Sequence, residues 1–148
     1  MSATLSLEEF LPYRCNRLAE RISQAMARDY TQRSGLNIAK WRIVATLGEH
    51  GPMLARDISR QTSMDKVRVS RAVKGLLEED ILVSKRLDND QRAWALSLSE
   101  QGKAVYQELV PAVLDWEQRL LAGLDADEQA QFLNLLGKLE QRIDELEP

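Results

Sequence analysis

Apolar positions recur along most of this chain at the three- and four-residue spacing of packed helices, and once, near the middle, they alternate as in strands. Leu11, Cys15, Leu18, Ile22 and Ala25 or Met26 follow one another at intervals of 4, 3, 4 and 3 or 4. That is a packing seam, and it predicts a long first helix reaching about Arg33 and ended by Gly35. Its start has two signals. Ser6-Leu7-Glu8-Glu9 has capping-box form, and Pro12 suits a first turn, so either Leu7 or Pro12 opens it.

A second helix is expected from Ile38 to about Glu49, capped by Asn37 and stopped by Gly51-Pro52, with Trp41, Ile43, Val44 and Leu47 as its apolar content. A short third helix spans about Leu54 to Gln61. Thr62 or Ser63 caps a fourth. Ile81–Leu87 is rich in branched residues and reads as a strand, and Asp88-Asn89-Asp90-Gln91 as a polar turn. Ala93–Leu98 alternates, with Trp94, Leu96 and Leu98 on one face, completing a two-stranded hairpin. Ser99 caps a long fifth helix to about Leu124, which Pro111 should bend. Asp125-Ala126-Asp127-Glu128 opens a last helix whose Phe132, Leu136, Leu139, Ile143 and Leu146 form a second seam. The fold class is therefore mainly α with a small β hairpin (α+β).

The fourth helix divides its chemistry by face. Val69, Ala72, Val73, Leu76 and Leu77 fall on one side; Val67, Arg68, Arg71 and Lys74 fall on the other. From Arg56 to Leu77 there are six basic residues (Arg56, Arg60, Lys66, Arg68, Arg71, Lys74) against two acids (Asp57, Asp65). A solvated helix face is often charged, so charge alone decides little. Two features add weight. Val67 stands among the cations, where water does not favour it but a thymine methyl does, and a hairpin follows the helix. Such a helix suits a DNA major groove, where phosphates flank the base edges.

Charge along the 148 residues sharpens this picture. The whole chain is at -3, yet residues 1–50 and 51–98 each carry +2, and residues 99–148 carry -7. A phosphate-binding surface belongs in the middle, with the acidic C-terminal third turned away from it. No apolar run approaches the roughly 20 residues that cross a bilayer, and the N-terminus lacks signal-peptide form, so a cytoplasmic location with no membrane partner is expected. One Cys and one His exclude a disulfide framework and an ordinary zinc site. No catalytic triad or glycine-rich phosphate loop occurs; an enzyme is not expected, nor any cofactor or metal.

The two terminal seams need cover that a central unit of about 60 residues cannot supply. The economical cover is a second copy, which predicts a homodimer with residues 1–36 and 99–148 as its helical dimerisation region and 37–98 as its DNA-binding region. Two reading helices then lie about 34–36 Å apart and match a palindrome.

The order of elements and three stretches, LNIAKWRIVATLGEHGP (36–52), DKVRVSRAVKGLLEEDILVSKR (65–86) and NDQRAWALSLSEQG (89–102), resemble the MarR family of winged helix-turn-helix regulators. Val69-Ser70-Arg71, Leu77-Glu78 and Asp90-Gln91-Arg92 are the most specific parts. Leu54 departs from the family's usual capping Thr, and Asp80 from its usual Gly. The resemblance implies that Ser70 and Arg71 lie in the major groove, that Arg92 at the wing tip enters the minor groove, and that Asp90 holds it by a charge-assisted hydrogen bond. It also allows an ion pair from Asp65 to Arg92 that competes with DNA, against the plainer reading of Asp65 as a helix N-terminal acid. Lys66, Arg68 and Lys74 share the reading face from the helical wheel alone. Lys85 and Arg86 on the wing suit phosphate contacts.

The resemblance further implies a palindromic operator, regulation as a repressor, and release by a small aromatic carboxylate or phenolic effector. Tyr13, Arg14, Arg17 and Trp41 are the candidates for its cleft, against a plainer reading as core aromatic and solvated cations. Some relatives sense peroxide through a thiol. Here Cys15 occupies a seam position and reads first as a small apolar residue, with redox sensing as the alternative. His50 at a helix C-terminus is explained by the dipole. From another functional class, a winged helix that binds protein rather than DNA is the competing reading.

Overall fold

Glycines and short polar caps cut the chain where the sequence places them. The computed structural model describes residues 2–87 and 90–147; of residues 87 and 90–93 it describes the backbone and not the side chains. Helix α1 (Leu11–Ser34) opens on Phe10 with no side-chain cap and with Pro12 in its first turn, so the proline rather than the Ser6 box sets its start. Ser6 instead closes a turn whose carbonyl accepts from the amides of Glu9 and Phe10. Gly35 ends α1 at φ +76, a conformation costly to any residue with a Cβ. Asn37 caps α2 (Ile38–His50) through a 2.9 Å bond from the Lys40 amide, and Gly51 ends it at φ +81.

Met53–Leu54 forms β1, a strand the sequence pattern does not reveal, because two residues are too few to show alternation. Helix α3 (Ala55–Thr62) starts from Leu54 with no side-chain cap. Three residues later α4 (Lys66–Glu78) begins, and its cap is Asp65, not Thr62 or Ser63. Ser63 takes a left-handed φ of +55 and Met64 is buried, which fixes the turn so that Asp65 is the residue able to accept from the Arg68 amide, at 2.8 Å.

Strands β2 (Leu82–Leu87) and β3 (Asp90–Leu98) pair antiparallel, and β1 joins the other edge of β3, giving the order β1-β3-β2. The sheet therefore has three strands where a two-stranded hairpin is expected from sequence. Asp90 and Gln91 belong to β3 and not to the turn; Asp88 and Asn89 lie outside the described residues. Leu82 faces Leu98 and Arg86 faces Trp94, with a register shift between Arg86 and Leu87. Leu96 and Leu98 are buried, but Trp94, on the same nominal face, is half exposed because the strand runs past the core there.

Helix α5 (Glu100–Leu121) continues through Pro111 and stops three residues short of Leu124. Helix α6 (Ala126–Leu146) has the expected reciprocal capping box between Asp125 and Glu128. The chain forms two compact units, Met1–Ala112 and Val113–Pro148.

In the first unit the core is built from Tyr30 and Leu36, then Trp41, Ile43, Val44 and Leu47 of α2, Ile58 of α3, Val69, Ala72 and Leu76 of α4, and Leu82, Leu96 and Leu109. Burying each such side chain contributes roughly 1.5–3 kcal/mol before chain entropy is counted. All residues from 2 to 21 are exposed. Cys15 is among them, which corrects its expected core position: Leu11, Cys15 and Leu18 stand exposed, while Ile22, Ala25 and Met26 farther along the seam are half-buried. In the second unit α6 has no buried residue, and Phe132, Leu136, Leu139, Ile143 and Leu146 stand exposed.

Candidate nucleic-acid interface

Helix α4 docks and presents as its wheel requires. Val69, Ala72 and Leu76 are buried, Val73 and Leu77 half-buried, while Lys66, Val67, Arg68, Ser70, Arg71 and Lys74 are exposed. Val67 keeps 68% of its surface in water, a cost that the fold itself does not offset. Lys66, Val67, Ser70, Arg71 and Lys74 line a shallow depression of about 480 Å³. Among the described residues the ion pairs fall elsewhere, on Arg33–Asp29, Lys40–Glu79, Arg60–Asp57 and others, so the α4 cations keep their charge for an outside partner.

A second depression, of about 540 Å³, lies on the other flank of α4, where Arg68, Arg71 and Ala72 meet Ala27 and Thr31 of α1 and the start of α2 from Asn37 to Lys40. Lys40 is the cation that sequence patterning does not single out. On the α2 wheel it sits at the edge of the apolar face, and only the packing of α2 on α4 brings it beside Arg68 and Arg71. Its Nζ pairs with Glu79 just beyond the end of α4, which ties that end to α2. Gly75 permits the approach, since a Cβ there would lie 2.9 Å from Lys40 Cε.

On the wing, Lys85 and Arg86 are exposed, and the Arg86 guanidinium lies 5.1 Å from the centre of the Trp94 ring across the strand pair. A cation held over an indole is oriented without being neutralised. The side chains of Asp90 and Arg92 lie outside the described residues, and with them the proposed Asp65–Arg92 pair. Asp65 itself has the capping role described above.

The four effector candidates do not meet within one chain. Tyr13, Arg14 and Arg17 are exposed on the first turns of α1, where Arg14 and Arg17 border a shallow depression with Glu8, Leu18 and Arg21. Trp41 is 8% exposed and packs on Tyr30 with ring centres 5.5 Å apart, which makes it first a core residue. Burial pushes the Tyr30 phenol up to about 12, with Arg42 holding it back in part. Among the described residues, no group of three or more His, Cys, Asp or Glu is placed to hold a metal, and no helix is long and apolar enough to cross a membrane.

Comparison with known proteins fits this geometry. Residues 34–93, which include α2, α3, α4, β2 and the first four residues of β3, match the family model described as MarR family. The HTH-type transcriptional regulator BilQ of Clostridium symbiosum is 23% identical over 108 residues, 73% of this chain and 75% of that one. The crystal structure of a MarR/EmrR family transcriptional regulator from Acinetobacter sp. ADP1 superposes with a TM-score of 0.83 at 28% identity, covering 95% of this chain and 99% of that one. NadR, solved in complex with 4-hydroxyphenylacetate, superposes at 0.76 with 20% identity, over 93% of this chain and 97% of that one. The first two are named as transcriptional regulators, and the structural likeness to the second runs over nearly the whole chain. Over residues 34–93 the chain matches the MarR family model, and its fold is similar to that of a MarR/EmrR family transcriptional regulator over nearly its whole length.

Proposed function

We propose that the chain acts in the cytoplasm as a homodimeric repressor that binds a palindromic operator. The observation that carries this reading is the cationic face of α4, free of ion pairs among the described residues, with Val67 bare at its centre. Lys66, Arg68, Ser70, Arg71 and Lys74 meet the major groove; Lys85 and Arg86 meet phosphates along the wing. Arg92, held by Asp90, enters the minor groove. Residues 1–36 and 99–148 supply the dimer contacts, supported by the exposed start of the α1 seam and the exposed seam on α6. The dimer presents the two α4 helices to successive turns of one duplex face.

Release follows when a small aromatic carboxylate or phenol favours a different setting of the two reading helices. NadR was solved with a ligand of that class, 4-hydroxyphenylacetate. Here Arg14 and Arg17 offer guanidinium groups for the carboxylate and Tyr13 an aromatic wall, with the second copy completing the cleft. Trp41, packed on Tyr30, contributes an edge at most.

Binding to genomic fragments selected by the protein itself, titrated against salt, tests the reading. A dimer neutralising several phosphates per half-site gives a log-log slope of several units, about 0.9 per phosphate. A monomer in sedimentation that binds no duplex, or binds one with no salt response, would overturn it and favour a protein-binding winged helix.

A further inference from the structure

The end of the reading helix is fastened to the start of α5 by a compact set of contacts that the DNA-binding surface does not use. Helix α4 closes in a Schellman turn: the Asp80 amide donates to the Leu77 carbonyl at 3.2 Å and the Ile81 amide to the Leu76 carbonyl at 2.9 Å. That turn needs a left-handed residue, and Asp80 supplies it at φ +60. Two backbone carbonyls, those of Asp80 and Ile81, then point away from the helix. Both are taken by Ser99. Its Oγ donates to the Asp80 carbonyl at 2.6 Å, with the Ile81 carbonyl at 3.1 Å, and its amide donates to the Ile81 carbonyl at 3.0 Å.

The same Ser99 Oγ accepts from the Gly102 amide at 2.9 Å, which makes it the N-cap of α5. One hydroxyl thus ties the turn that follows α4 to the first turn of α5. Gly102 completes the joint by permitting contact: a Cβ built on it would lie 2.2 Å from the Ile81 carbonyl oxygen and 3.2 Å from its carbon. The obstacle is backbone, so no side chain can swing aside to make room. Two neighbouring fastenings support the joint. Lys40 ties Glu79 to α2, and Tyr106 of α5 lies so close to Gly48 of α2 that a Cβ there would come within 2.3 Å of the ring.

We propose that Ser99 and Gly102 are positioning residues for operator recognition, locking the reading helix to α5 so that the angle of α5 sets where α4 points. Neither residue touches DNA in this scheme. Helix α5 carries the chain from the first unit into the second, so in a dimer it is the element whose setting fixes the relation between two reading helices. The proposal rests on the dimer reading above. A rigid joint lets the second half-site bind as an intramolecular event. A loose one leaves each helix competent and lowers the gain from having two.

The measurement is the ratio of affinities for a selected genomic duplex and for the same duplex with one half-site scrambled, in the full-length protein, with the oligomeric state followed by sedimentation. Wild type is expected to favour the intact duplex by about a hundredfold or more. Ser99→Ala removes the shared hydroxyl, and Gly102→Ala forces the helix start off the Ile81 carbonyl. Each should lower the ratio about tenfold while leaving affinity for the half-scrambled duplex near wild type. Ser99→Thr keeps the hydroxyl and should keep the ratio. Asp80→Gly relieves the left-handed strain without touching the two carbonyls. It should raise the melting temperature and leave the ratio alone, which separates stability from positioning. Should Gly102→Ala fail to fold, Ser99→Ala against Ser99→Thr still decides. A dimeric Ser99→Ala protein with an unchanged ratio overturns the positioning role alone. A wild-type protein that is monomeric, with no preference for the intact duplex, overturns the dimer reading and the positioning role with it.

Discussion

Tyr30 shows how one residue ties stability to pH. It is 1% exposed, and burial pushes its phenol up to about 12. In the unfolded chain the group titrates near about 10. As pH rises past that value the unfolded state gives up its proton first, so the stability that comes from keeping Tyr30 neutral is full below about 10 and is lost towards 12. The loss is on the order of 2–3 kcal/mol. Urea unfolding near pH 9 and near pH 11, in wild type and in Tyr30→Phe, isolates it from other titrating groups. The wild type should lose more stability across that interval, and equal losses would count against the account. Single residues were legible in the sequence where their chemistry is local. Gly35, Asn37 and Gly51 each act on the nearest turn and needed no tertiary information. The cap of α4 was not so legible, because Thr62, Ser63 and Asp65 all have capping side chains, and burial of Met64 chooses between them.

At the scale of the element, α4 divides its residues between core and solvent, and the proposed use of the solvent side is testable. Arg71→Ala removes an exposed cation and none of the buried surface of Val69, Ala72 or Leu76. Folding stability should stay within about 0.5 kcal/mol. Affinity for the selected operator should fall by roughly 1–3 kcal/mol, with discrimination relaxed at one base pair. A uniform loss on every sequence would instead make Arg71 a phosphate contact. Helices of this length were legible because several turns repeat one spacing. β1 has two residues and repeats nothing, so its pairing of Met53 with Leu96 emerges only in the sheet. The exposed side of Trp94 was equally hidden, since alternation marks a face but not where the core beneath it ends. The effector candidates failed to gather for a related reason: Tyr13, Arg14 and Arg17 lie on turns of α1 that the chain leaves bare, and Trp41 is taken by Tyr30.

For the whole molecule the decisive feature is the uncovered apolar seam of α6. Leu139 is 46% exposed and Ile143 54%, more than a lone soluble chain usually leaves along one helix face. On the dimer reading Leu139→Glu places a charge in that seam, and sedimentation should show monomer at concentrations where the wild type is paired. Persistence of the pair at those concentrations would remove α6 from the interface. The seam also links abundance to survival. If pairing is what covers it, each chain's folded lifetime depends on meeting another: the thermal midpoint climbs with protein concentration, and scarce copies are the first lost to proteolysis. A cell making too little of this chain would then lose its effect abruptly rather than in proportion, because the last copies would lack the partners that keep them intact.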